Sequence, residues 1–352
     1  MTIDGIDGKS APREKPTLLA QLPLDVSLIV QQDVLGARLP VTTEHGTGHM
    51  LLPTWRGEFA SPPTAPPGLE NPGCHWGSWT SYSQKTGVGQ AAIDVIGMQV
   101  ELDEVHIEGP AEEWGKGYAA GIEPIKKSLG SWIERFQEWG TILARQTLSP
   151  LEPSLAMVER PSLNSVLTIV AGGRASWPSS GGATLRVRMS SQSALSERVA
   201  DTATVRRMCE LASDPTIEPP SAVALVASAR RAAQRNRLRL ALMELGTALE
   251  AILTTVLSPN SRMTLGPLTQ LAIASGISIP ADIGATFVLP RNDAVHRGLD
   301  PNRTTVVDGL VMLDGLIRQY YSAWSCDEGL DLAHRPQRQS LLIVSPPRSS
   351  TT

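Results

Sequence analysis

Cysteine is scarce: Cys74, Cys209 and Cys326 are the only three in 352 residues, and no two of them stand in a CxxC spacing. An odd, scattered set excludes a disulfide framework and offers no zinc pattern. Charge is modest too, with 19% charged residues and a formal net charge of −4. A chain of that sign does not coat nucleic acid or anionic membrane by total charge, although a local basic patch can sit inside the average. Lysine is absent after Lys127, where arginine replaces it completely. The opening "MTIDGIDGKSAPREKP" has no apolar h-region, and no uninterrupted apolar run approaches membrane-spanning length. A cytoplasmic protein is the expectation.

Several chemical signatures are missing as well. There is no Gly-x-Ser-x-Gly elbow, no paired-carboxylate signature and no dinucleotide fingerprint. "EHGTGH" places His45 and His49 four apart, but two glycines lie between them and no glutamate follows the first, so it reads as a loop and not a zinc-protease helix. "CHWGSWT" lacks a second cysteine or histidine pair, which makes a metal site there unexpected. "AGG" at 171–173 and "SSGG" at 179–182 lack the Lys-Ser/Thr of a phosphate loop and read as hairpin turns. No cofactor is expected.

What is present is apolar enough, at 41% hydrophobic residues, and long enough for two cores. The first half reads as strands and loops. "PLDVSLIVQ", "AAIDVIGMQVELD", "SVLTIVAGG" and "ATLRVRMS" are Val/Ile/Leu-rich runs bounded by Gly, Pro and Ser. Between the first two, "FASPPTAPPGLENPGCHWGSWTSY" reads as a long loop anchored by Trp76 and Trp79, because its prolines and glycines suit neither a central strand nor a helix interior. One helix interrupts the strands. In "SLGSWIERFQEWGTILARQ", Trp132, Phe136, Trp139 and Leu143 share a helical face, a stripe that reads as core packed on the sheet more readily than as a ligand platform.

After about residue 192 the period becomes helical. "SALSERVADTATVRRMCELASD" and "PPSAVALVASARRAAQ" are two helices, the second opened by prolines suited to a first turn. In "RNRLRLALMELGTALEAILTTVLSP", Leu238, Leu242, Leu245, Leu249, Ile252 and Val256 step by four and three as a bundle seam, with Pro259 as the stop. "TLGPLTQLAIASG" ends at Gly276. Asp300 reads as the N-cap of a last helix with Pro301 at its first position and Val306, Leu310, Leu313, Ile317, Tyr320 and Trp324 on one stripe.

The chemistry-bearing stretch is "PRNDAVHRGLDP", expected to be a turn before that last helix. RNA cleavage without metal needs a base for the 2′-hydroxyl, an acid for the leaving 5′-oxygen and a cation for the phosphate. Histidine titrates near neutrality, arginine matches phosphate oxygens with a planar fork, and asparagine can orient either. The other reading makes Arg291 a cap on backbone carbonyls and His296 a partner of a buried backbone group. On an ideal helix a five-residue step turns about 140°, so Arg291 and His296 converge only if the motif starts in a non-helical turn or a second protomer supplies one of them.

Arg291-Asn292-x-x-x-His296 resembles the Arg-polar-x(3–5)-His motif of the HEPN superfamily of helical-bundle nucleases. "RLRLALMELGTALEAIL", with Glu244 and Glu250, resembles the acidic helix of those domains. The resemblance covers roughly 192–326 and is nearest to ApeA-like phage-defence HEPN nucleases, in which a largely β region precedes the bundle. It implies a metal-independent endoribonuclease of anti-phage defence or stress response, leaving a 2′,3′-cyclic phosphate, or alternatively an inactive HEPN-like bundle that dimerises or binds nucleic acid or a partner. It further implies phosphate binding by Arg291, acid/base work by His296, a supporting role for Asn292 and a homodimer through the bundle. Arg230, Arg231, Arg235, Arg237, Arg239 and Arg297 are the expected RNA-backbone contacts, the run from 230 to 239 reading equally as a solvated helix face.

The expected class is therefore α+β. A disordered N-terminus covers 1–17, a β-rich sensor or regulatory domain open to an unknown trigger covers 18–191, a HEPN-like bundle covers 192–326, and a flexible tail covers 327–352.

Overall fold

A computed structural model of the chain describes residues 16–55, 61–70, 75–83, 88–103, 114–148, 167–171, 174–176, 198–259 and 261–325. Calls on the strand "ATLRVRMS", the "SSGG" turn, the tail from 327 and nearly all of the disordered N-terminus lie outside these residues.

The class is α+β. Strands β1 (Thr17–Gln31), β2 (Arg38–Thr43), β3 (Gly46–Leu51), β4 (Gly77–Ser83), β5 (Val88–Leu102), β6 (Leu167–Ala171) and β7 (Arg174–Ser176) form one antiparallel sheet. Its order is β2-β3-β5-β1-β6-β7, with β4 also paired to β5. The long β1 and β5 make the spine, with Thr17 opposite Glu101 at one end and Gln31 opposite Gln90 at the other. Thr17, expected in the disordered terminus, is thus already in the sheet. In β6–β7, Ala171 pairs with Arg174, which agrees with the hairpin read at "AGG".

Two expected loops contain strands. "EHGTGH" runs into β3, where Gly46 and Gly48 lie so close to β5 that a Cβ on either would stand about 2 Å from the carbonyl oxygen of Glu101 or Gln99. The glycines that argued for a loop are what allow this close pairing. The end of the proline-rich stretch is β4, which pairs with the first part of β5. Trp76, just before β4, and Trp79, within it, act as anchors. Trp76 is buried against Leu51, Leu69 and Val95, while Trp79 donates from Nε1 to the Ser61 carbonyl at 2.8 Å and meets Trp55 edge to face.

Helix α1 (Trp114–Leu143) is longer than its aromatic stripe suggested and carries Pro124 inside it. Trp132, Phe136, Trp139 and Leu143 are buried against the sheet. Helix α2 (Thr202–Ser213) joins the same core through Val205, Met208, Cys209 and Leu211. Its helix starts later than the serines implied: Ala200 is held beside β1, and the Asp201 side chain accepts from the Thr204 N–H at 2.8 Å as the N-cap. Periodicity placed α2 among the bundle helices, whereas its apolar face packs with the sheet. Gln146 ties these parts together, with its amide accepting from Ile29 N at 2.7 Å and donating to the carbonyls of Ile29 and Arg198.

The second core is helical. Helices α3 (Ser221–Gln234), α4 (Leu238–Leu257), α5 (Leu265–Ala274), α6 (Leu289–His296) and α7 (Arg303–Tyr320) enclose Leu242, Leu245, Leu249, Ile252, Leu310 and Leu313. Among the described residues α4 alone is long and apolar enough to cross a membrane, yet it is the centre of this core. The α7 stripe is buried as expected from Val306 to Ile317, but its N-cap is Asn302, whose side chain accepts from the Thr304 N–H at 3.0 Å. Asp300, expected to cap, stands two residues before that cap. Trp324 stacks on Trp139 at 5.5 Å and joins the two cores.

Candidate active site

The motif does not sit in a turn. A π-helical turn over Gly284–Val288 runs directly into α6, which spans Leu289–His296 with Pro290 in its first turn. Pro290 has no N–H to donate back along this continuous helical run, and it follows directly on the wider π turn, where the regular α-helical bonding is already interrupted. The expectation of a non-helical start is therefore corrected. On this helix Arg291 and His296 are about 140° apart, and they are not brought together within one chain.

Arg291 lies inward, across α4. A Cβ on Gly246 would stand 2.9 Å from both Cγ and Nε of Arg291, so the glycine makes the space in which the arginine lies. Nη1 of Arg291 donates to Asn292 Oδ1 at 3.2 Å, while its Nε is buried with no hydrogen-bond partner among the described residues. A glycine in the middle of a leucine-rich helix costs about 1 kcal/mol relative to alanine. That anomaly is the sequence signal that points to Gly246. His296 is exposed at the C-terminal end of α6. Arg297, the next residue, is exposed as well and reaches Asp293 at 3.3 Å.

The basic run divides by position. Arg230 is a correction to the RNA-contact set, since it is 1% exposed and donates from Nη2 to both oxygens of Asp314 at 2.8 and 2.9 Å. Arg145, at the end of α1, approaches the same carboxylate at 3.6 Å. A guanidinium so enclosed is not available to a phosphate backbone. Arg231 is half-buried in the last turn of α3, and Arg235 is half-buried at its C-cap. Arg237 is exposed and forms the N-cap of α4 without a side-chain cap. Arg239 keeps an exposed guanidinium while its Nε donates to the Ala294 carbonyl at 2.9 Å, closing the end of α6.

Of the two acidic residues of α4, Glu244 accepts from the Ser228 hydroxyl at 2.8 Å and Glu250 is half-buried. The start of α4 and Asp300 border an open groove of about 410 Å³, which Arg239 connects to the α6 end carrying His296. The one arginine run thus supplies both a buried ion pair and a solvent-facing groove.

The sheet holds a polar group that sequence reading missed. Between Pro23 and Leu28, β1 bulges opposite Asp94 of β5, a kind of irregularity that re-aims side chains. Asp94 accepts from the Ser27 hydroxyl and pairs with His75 Nδ1 at 2.9 Å. The serine bonds the carboxylate and not the imidazole, so this is not a nucleophile–base pair. Cys209 is equally unsuited to reaction, because burial, with a smaller contribution from Glu210, pushes its thiol well above the ordinary range.

Neither a family model, nor a curated protein, nor a solved structure matches the chain.

Proposed function

We propose that the chain is a metal-independent RNA endonuclease of the HEPN type, acting in anti-phage defence or stress response. The observation that carries the reading is the state of Arg291. Its guanidinium is braced by Asn292 over a glycine kept clear for it, and no carboxylate pairs with it among the described residues. An arginine packed for structure alone is expected to pair with an acid, as Arg230 does with Asp314. Arg291 is instead held as an unneutralised cation suited to phosphate, with Arg237, Arg239 and Arg297 offering backbone contacts.

His296 supplies acid/base chemistry in this reading. Because it lies about 140° from Arg291 around one helix, the complete site needs two chains. Arg291 of one protomer then serves the phosphate while His296 of its partner moves the proton, and a two-fold axis allows one imidazole to be base and the other acid. Cleavage by attack of the 2′-hydroxyl leaves a 2′,3′-cyclic phosphate and a free 5′-hydroxyl. The sheet half would receive the trigger.

The deciding experiment incubates the purified chain with cellular RNA in EDTA and reads the product ends. Cyclic phosphate ends that vanish in His296→Ala are expected. Mixing His296→Ala with the wild type should lower activity below the wild-type share, since a mixed dimer keeps a single His296. Activity that requires added magnesium, or survives His296→Ala, overturns the assignment. A second reading, a non-catalytic HEPN-like dimerisation or nucleic-acid-binding bundle, is favoured by the same angular separation and predicts RNA binding without cleavage.

A further inference from the structure

The groove beside the start of α4 combines groups that backbone contact alone does not require. Leu238, Leu240 and Met243 give it an apolar floor, and Leu240 is 43% exposed. Arg237 and Arg239 line it too, beside the first N–H groups of α4, which have no side-chain cap. Unused helix N–H donors and two guanidiniums together make a seat for phosphate. The groove is also lined by the Asn236 amide and the Asp300 carboxylate, neither side chain with a protein partner among the described residues. Asp300 is free because Asn302 caps α7 in its place.

A phosphate seat, an apolar lining and unpartnered polar groups in one groove suit a nucleotide. The volume of about 410 Å³ lies in the range of small-ligand pockets. The carboxylate selects the base. It only accepts hydrogen bonds, and it has two adjacent oxygens. Guanine alone presents two neighbouring donors, N1–H and the 2-amino group, along one edge. Adenine and cytosine set one amino group beside a ring nitrogen that repels a carboxylate, and uracil offers a single N–H between two carbonyls.

We propose that this groove binds a guanine nucleotide, with phosphate on Arg237, Arg239 and the start of α4, the ring on Leu240 and Met243, and Asp300 on the N1 and 2-amino edge. The nucleotide has two sources, free guanosine monophosphate or a guanosine within single-stranded RNA. The second rests on the RNA reading above. In that case the groove, joined to α6 through Arg239 and Ala294, gives the enzyme a base preference next to its site.

Calorimetric titration of the full chain tests this without any turnover. Guanosine 5′-monophosphate should bind about tenfold more tightly than adenosine 5′-monophosphate, the scale of one good bidentate contact. The near-isosteric Asp300→Asn should erase that difference and leave the adenosine nucleotide unaffected, while Arg237→Ala should weaken both equally. Binding of no mononucleotide, equal binding of the two, or a preference that survives Asp300→Asn overturns the proposal. The source is read with a short single-stranded RNA holding one guanosine, added to His296→Ala so that it stays intact. Tighter binding than the free nucleotide assigns RNA, and weaker or equal binding assigns the mononucleotide. Failure of RNA cleavage leaves these results standing, so the two readings fall separately.

Discussion

Arg230 and Arg237 lie in the same arginine run, in opposite media. Arg230, on the inner face of α3, is 1% exposed and gives both Asp314 oxygens a hydrogen bond, with Arg145 approaching from the end of α1. Arg237, past the end of that helix, is exposed and faces the groove. The inner arginine ties α3 to α7 within the helical core, where Arg145 reaches the same carboxylate from the sheet half, and the outer one faces solvent, where it can meet a ligand. Charge density along a chain thus says little until the helix phase is known. The seven positions from Arg230 to Arg237 take the run from a structural cation to an available one.

The largest effect is expected where that inner pair is broken. Asp314→Ala leaves Arg230 charged and buried without its partner, and should cost about 3–5 kcal/mol in chemical denaturation. Arg237→Ala should stay within about 0.5 kcal/mol. Comparable losses from the two would erase the distinction between them. Replacing both members, Arg230→Met with Asp314→Leu, should recover most of the loss, because a well-packed apolar pair replaces an ion pair at little net cost.

A smaller effect, opposite in sign in two backgrounds, is expected at Gly246. Gly246→Ala places a methyl 2.9 Å from Arg291 and should destabilise the chain by about 1–3 kcal/mol as the arginine is displaced. In an Arg291→Ala background the same substitution should stabilise by up to about 1 kcal/mol, since alanine is the better helix former. A double-mutant cycle on thermal melts measures the coupling. No coupling would mean that Gly246 is not there for Arg291.

The smallest effect concerns Asp201. Partial burial raises its pKa, but the hydrogen bonds from Thr204 and the charge of Arg198 outweigh it, and the net shift is downward. A lowered folded-state pKa means that its contribution is present above the ordinary carboxylate range and is lost as pH falls through the folded value. Asp201→Asn keeps a cap and removes the titration. Its melting temperature should match the parent near neutral pH and fall less steeply in acid, and parallel curves would show that the cap does not titrate.

Legibility from sequence followed the same division between face and partner. The α4 seam and the Trp132–Leu143 stripe were readable because helical spacing identifies a buried face directly. α2 was readable as a helix and yet assigned to the wrong neighbours, since an apolar face does not name what covers it. β3 was hidden by Gly46 and Gly48, whose small size permits close strand pairing and imitates a turn. Arg230 carried no local sign of its partner, because Asp314 lies 84 residues on. For the stretch from Arg291 to His296, Pro290 suggested a turn where the chain is helical. What spacing could not give was the direction in which each of them points.

The π-helical turn before α6 has a consequence for how this chain tolerates length changes. Its closing hydrogen bond runs from Leu289 N to the Gly284 carbonyl, one residue wider than an α-turn. It therefore stores a spare residue just ahead of the motif. Deleting one residue there would let the backbone relax into ordinary α-helix with the downstream residues keeping their phase, because about five residues of the wider turn cover the rotation of about four in an α-helix. Arg291 would stay over Gly246 and His296 at the solvent. A deletion in this turn should therefore be tolerated better than one between Arg291 and His296, which would bring Arg297 to the place of His296.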